Sequence, residues 1–246
     1  MLNILNELEQ AKKANKKKFV VLIDPDKVRL GNMDTVLENA LKAKVDYFFI
    51  GGSLIVNNQL DECLLSIKER CRIPMILFPG SSLQLSWKAD AILFLSLISG
   101  RNPDLLIGNH VIAAPYLKLS PLEVLPTGYM LMDGGAATSV LYMSNTRPIP
   151  THKDDIAVCT AMAGEMLGLR LLYMDAGSGA KVPISEEIIE SVSGAVSVPL
   201  IVGGGIRTPE KAAANANAGA DVIVVGNAIE SDPNLVLEMA QAVHEI

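Results

Sequence analysis

Eight short aliphatic runs, each closed by Gly, Pro, Asp or Ser, constrain this chain more than any other feature: Phe19 to Ile23, Tyr47 to Ile50, Met75 to Phe78, Ala91 to Leu97, Tyr129 to Met132, Leu171 to Met174, Leu200 to Val202 and Val222 to Val225. Continuous Val, Ile and Leu suit strands buried on both faces, as in a parallel sheet covered by helices. Helix-like segments lie between most of them: Val36 to Lys42, Asp61 to Arg70, Pro103 to Leu117, Lys153 to Leu167, Ser185 to Val192, Pro209 to Ala218 and Pro233 to His244. The pattern is βα repeated eight times in 246 residues, or about 31 residues per unit, the size expected of a (β/α)8 TIM barrel. A doubly wound sheet is the competing architecture. The barrel is preferred because the last two units carry its phosphate signature.

The expectation is thus a single α/β domain over residues 1–246. One irregularity stands out: only the 12 residues Pro79 to Asp90 separate the third and fourth strands, little for a crossover with a helix. The third helix is expected to be short or missing. That would leave an apolar slot in the barrel wall for a long substrate, unless another subunit or the amino-terminal helix covers it.

Composition limits function. Half of the residues are hydrophobic but only 4% aromatic, so the core is aliphatic, and a net charge of −6 excludes a nucleic-acid binder with a domain-wide basic face. Cys63, Cys71 and Cys159 form no Cys-x-x-Cys pair, which fits a reducing cytoplasmic location. No export signal is read at the amino terminus. The longest apolar run, Ala91 to Ile98, is too short to cross a bilayer. Lys12, Lys13, Lys16, Lys17 and Lys18 close the first helix, where positive charge complements the dipole. Transient docking to an anionic membrane is the alternative use of that run.

Candidate chemistry gathers at strand ends. The seventh strand ends in Gly203-Gly204-Gly205-Ile206-Arg207, with Thr208-Pro209 reading as N-cap and N1 of the next helix. The eighth ends in Gly226-Asn227, followed by the short helical stretch Ala228 to Ser231. In barrels, these two loops bind phosphate through backbone N–H groups. A phosphorylated small molecule is implied.

The sixth strand continues through Tyr173-Met174-Asp175-Ala176-Gly177-Ser178-Gly179, and period-two alternation sets Tyr173 and Asp175 on one face. A carboxylate there either binds a polar substrate group or caps the Gly-rich turn. The first strand runs into Asp24-Pro25-Asp26-Lys27 and the second ends in Gly51-Gly52-Ser53. Hard oxygen ligands at that end suit Mg²⁺ with a diphosphate, although Asp-Pro-Asp is also a common turn sequence.

Together, Leu22 to Lys27, Gly51 to Ser53, Tyr173 to Gly179, Gly203 to Ile206 and Gly226-Asn227 resemble the geranylgeranylglyceryl phosphate synthase family, which includes the bacterial heptaprenylglyceryl phosphate synthases. The resemblance implies a barrel prenyltransferase that joins sn-glycerol 1-phosphate to a prenyl diphosphate with Mg²⁺ as cofactor. It implies Mg²⁺ at Asp24 and Ser53. It implies glycerol phosphate at Tyr173, Met174, Asp175, Ala176, Gly177, Ser178, Gly179, Gly204, Gly205, Gly226 and Asn227. Catalytic roles fall to Asp175, Tyr173 and Lys27, and a homo-oligomer is expected. The chain departs from the family pattern at Asp175, where many relatives carry Glu, and at Leu22, where some carry Lys. Its Leu-Ile-Asp-Pro-Asp-Lys form resembles the family branch shared by many archaea and Bacteroidetes more than the heptaprenyl branch, and that resemblance implies a geranylgeranyl-length donor. The rival readings are another phosphate-binding barrel, such as a sugar-phosphate isomerase or a thiamine phosphate synthase-like transferase, and a barrel that binds phosphate without chemistry.

Overall fold

The computed structural model describes residues 3–27, 30–57 and 59–246. Eight strands close into a barrel in which each pairs in parallel with the next and the last pairs with the first. They are β1 (Lys18–Ile23), β2 (Tyr47–Gly52), β3 (Met75–Pro79), β4 (Ala91–Leu97), β5 (Glu123–Leu131), β6 (Leu171–Asp175), β7 (Leu200–Gly203) and β8 (Val222–Val225). The helices are α1 (Ile4–Lys13), α2 (Leu30–Ala43), α3 (Leu60–Arg70), α4 (Asn109–Leu119), α5 (Ser139–Ser144), α6 (Asp154–Met166), α7 (Glu186–Ala195), α8 (Pro209–Asn217), α9 (Asn227–Ser231) and α10 (Leu235–His244).

Alternation along each strand divides the core into two compartments. Val20, Tyr47, Phe49, Ile76, Leu93, Leu125, Tyr173, Ile201 and Val224 fill the barrel interior. Their neighbours Val21, Phe48, Ile50, Leu77, Ile92, Met174, Val202 and Val225 pack outward under the helices. Both faces of every strand are therefore apolar, which is why the runs read as continuous.

No helix joins β3 to β4, as the short spacing led one to expect; residues 80–90 cross by turns and bends. The buried Gln84 side chain holds this crossing, accepting from the Gly80 amide at 2.9 Å and donating to the Gly52 carbonyl at 3.1 Å. Three elements differ from the sequence reading. A wide helical turn, Asp104–Gly108, precedes α4, so the expected helix from Pro103 is broken. β5 starts at Glu123, well before the expected Tyr129, because Pro126 and Gly128 disguise its first half. The short helix α5 was not foreseen; it begins at Thr138, whose side chain caps it by accepting from the Leu141 amide.

Helix α1 closes the amino-terminal end of the barrel. Ile4 and Leu8 join the interior cluster, and the Glu123 carboxylate accepts from the amides of Ile4 and Leu5 at 2.8 and 2.9 Å. The lysine run lies at this end, opposite the strand termini that carry the glycine loops. Lys12 pairs with Asp221, and Lys18 with Glu7 and Asp46. These two cations serve the floor of the barrel. Among the described residues no helix is long and apolar enough to cross a membrane.

Candidate active site

The carboxyl ends of β1, β2, β6, β7 and β8 surround one cavity of about 510 Å³. Around the rim, Tyr173, Asp175, Gly177, Ser178 and Gly179 line it from the β6 end, Gly204 and Gly205 from β7, Gly226 and Asn227 from β8, and Asp24, Lys27 and Ser53 from β1 and β2. Of the residues that the family resemblance implies for the site, Met174 and Ala176 lie elsewhere. Met174 has the outward parity of β6 and packs under the helices, and the Ala176 amide is taken by the Gly203 carbonyl at 3.1 Å. Neither side chain reaches the cavity.

The glycines at the β7 end are required by close approach. Gly204 has φ +83°, and a Cβ there would come within 2.6 Å of Asp175 Oδ1. Gly205, at φ +72°, follows in the same left-handed conformation. These two backbone units therefore lie against the β6 loop and present themselves to the cavity. Beside them, at the end of the neighbouring strand β8, α9 starts at Asn227, and the Ser178 hydroxyl donates to Asn227 Oδ1 at 3.2 Å, tying the β6 loop to the β8 end. The result is an amide-rich pocket suited to a phosphate. Not all of its amides are free: Gly177 donates to Asp175 Oδ1 at 2.8 Å. Arg207 is exposed and donates to the Ala180 carbonyl of the β6 loop at 2.7 Å.

Asp175 is buried at the junction of interior and cavity. Its Oδ2 accepts from the Tyr129 hydroxyl at 2.6 Å. Burial raises its pKa, and the two hydrogen bonds only partly offset that rise. Asp175 caps the Gly-rich turn through Gly177 and also lines the cavity. Burial and the neighbouring Asp175 charge hold the Tyr173 and Tyr129 hydroxyls in their protonated form. Tyr129 opens the expected fifth run and so reads as strand core from sequence, although Tyr129 and Tyr173 are register partners across β5 and β6.

On the other side, the Lys27 ammonium lies 3.0 Å from Asp24 Oδ2. Burial disfavours that ammonium, but Asp24 and the charge of Glu230 outweigh it and raise its pKa. Glu230, on α9, was not anticipated either; burial pushes its pKa up despite Lys27. Asp26 turns away and accepts from the amides of Val56 and Asn57, fastening the β2–α3 loop. Asp133, just beyond the end of β5, is exposed and caps its own turn at the Gly135 amide.

A second, apolar groove of about 180 Å³ adjoins the cavity where the β3–β4 helix is missing. Phe94, Leu105, Ala113, Leu117 and Tyr129 are among its walls. Gly52, Ser53 and Phe78 line both spaces.

A closed (β/α)8 barrel with an amide-lined anion pocket beside an apolar side groove has the build of a phosphate-recognising barrel enzyme. Residues 12–245 match the PcrB family, and the chain belongs to it. A geranylgeranylglyceryl phosphate synthase of Chitinophaga pinensis is 58% identical over 241 residues, covering 98% of this chain and 96% of the relative. One from Methanothermobacter marburgensis is 40% identical, covering 89% of each. The crystal structure of (S)-3-O-geranylgeranylglyceryl phosphate synthase from Thermoplasma acidophilum in complex with substrate sn-glycerol-1-phosphate superposes with a TM-score of 0.93 at 34% identity over the whole of both chains. This membership sets aside the isomerase and thiamine phosphate synthase-like readings.

Proposed function

We propose that this chain is a prenyltransferase of the geranylgeranylglyceryl phosphate synthase type, joining a prenyl group from its diphosphate to the hydroxyl of sn-glycerol 1-phosphate. The observation that carries the reading is the meeting of an anion pocket and an apolar groove at Gly52, Ser53 and Phe78. One space suits the acceptor phosphate and the other a hydrocarbon tail.

In this reading the amides after β6, β7 and β8 hold the acceptor phosphate, and Asp175 orients the glycerol hydroxyls. The donor diphosphate lies toward Asp24, Ser53 and Lys27. Asp24 and Ser53 fit Mg²⁺: both are hard oxygen donors on the cavity wall, and a Cβ on Gly52, next to Ser53, would lie 3.5 Å from Asp24 Oδ2. Two protein ligands are what Mg²⁺ usually takes beside phosphate oxygens and water. When bound, the ion would neutralise charge on the leaving diphosphate. The Lys27 ammonium adds charge to the same side. The C1–O bond of the donor breaks with its electron pair leaving on diphosphate, the glycerol oxygen bonds to C1, and its proton passes to the Asp175 carboxylate.

The exposed apolar residues Ile107, Val111 and Tyr116 in the α4 region support a homo-oligomer, and three free cysteines support a cytoplasmic location. Any transient bilayer contact for a lipid product is assigned away from Lys12 and Lys18, which are engaged at the barrel floor.

The test is mass spectrometry of products from sn-glycerol 1-phosphate or its enantiomer with prenyl diphosphates of increasing length, with and without Mg²⁺. A prenyl ether formed only with Mg²⁺, selectively from the 1-phosphate and best with a geranylgeranyl-length donor, is expected. Absence of any ether overturns the reading, and ether formed after metal removal overturns the Mg²⁺ assignment.

A further inference from the structure

Phe78 stands where the two spaces meet. It has the inward parity of β3, follows the outward-packed Leu77 and is only partly buried, lining both cavity and groove. Its ring stacks on Tyr173 at 5.4 Å between centroids, with Tyr129 at 6.1 Å and Phe49 at 6.3 Å. In a chain with five Phe, five Tyr and one Trp, two Phe and two Tyr meet at this one point, while the interior below is mostly aliphatic. Burial alone does not call for this, since aliphatic side chains fill the rest of the interior. Aromatic rings do have one property that aliphatic groups lack, a negative face that attracts a cation without being able to take part in proton transfer.

On the prenyl-transfer reading above, donor C1 must lie at this junction, with its tail in the groove and the acceptor hydroxyl in the cavity. We propose that Phe78 is a catalytic residue whose ring stabilises the positive charge developing on the allylic C1–C3 unit of the donor, with Tyr129 and Tyr173 supporting the ring. The balance is simple: the C1–O bond breaks with its electrons leaving on diphosphate, the glycerol oxygen supplies the pair for the new bond, and its proton goes to Asp175. The ring exchanges no atom or electron.

The experiment keeps the shape of Phe78 and changes only the charge on its face: 4-fluoro-, 3,4-difluoro- and 3,4,5-trifluorophenylalanine are incorporated at position 78 of the full chain. Single-turnover rates are read with saturating glycerol 1-phosphate and Mg²⁺, alongside the affinity for a non-hydrolysable thio-diphosphate analogue of the donor. A stepwise fall reaching roughly 3- to 30-fold, with unchanged analogue affinity, is expected from the usual strength of such contacts. A flat series in an active enzyme overturns the role of the ring alone. A wild-type chain that makes no ether overturns prenyl transfer itself, and the two failures are thereby distinct.

Discussion

At Asp175, burial and hydrogen bonding pull in opposite directions, and burial wins: its carboxyl pKa is raised. A raised folded-state pKa means that the folded chain binds the proton more tightly than the unfolded one. The ionised carboxylate therefore costs stability, increasingly as pH rises from the unfolded value through the folded one and fully beyond it. Asp175→Asn removes that cost and keeps both contacts, accepting from Gly177 and donating to the Tyr129 oxygen. Turnover is expected to fall about 10²- to 10⁴-fold as the base is lost, with little change in glycerol phosphate affinity, while the melting midpoint holds or rises by about 2–4 °C. Steady-state kinetics and calorimetry check the two halves; near-wild-type turnover sinks the base role. Asp175 and Gly204 were legible in the sequence because an acid and a glycine triplet at strand ends have few packing explanations. Phe78 and Tyr129 were not, because an aromatic at the end of an apolar run reads as core until its neighbours across the barrel are known.

The crossing from β3 to β4 shows what an element's absence does. Spacing alone exposed the missing helix, since 12 residues leave little room for one. What the spacing did not show is how α4 and α5 complete the groove: Ala113 and Leu117 come from one, Val140 and Met143 from the other. The wide turn before α4 and the six-residue α5 leave no periodic signal long enough to read. Ala113 is buried against the groove, so Ala113→Phe fills it. KM for the longest accepted donor is expected to rise about 10-fold or more while a short donor and glycerol phosphate are spared. An equal effect on all donor lengths would show that the tail lies elsewhere.

For the whole molecule, eight repeats announced closure, but nothing in them announced how the ends are fastened. Asp46 does much of this, accepting from the Phe19 amide at 2.8 Å, Lys18 at 2.9 Å and His244 at 2.8 Å, and so joining the start of the barrel to α10. Burial pushes its pKa up, but these donors outweigh it and hold the carboxyl below the usual aspartate range. A lowered folded-state pKa gives stability that is present above the unfolded value and lost as pH falls through the folded one. Asp46→Asn is expected to lose about 2 kcal/mol at pH 7, and the gap to wild type should shrink below about pH 4. Urea unfolding across that range decides it, and a gap independent of pH would assign the loss to packing. Side chains fill the barrel interior and Ile4 and Leu8 of α1 cap its amino-terminal pole, so the cavity opens at one end. On the prenyl-transfer reading, spent diphosphate and finished lipid then depart over the rim or through the lateral seam, competing with incoming reactants for the same doorway.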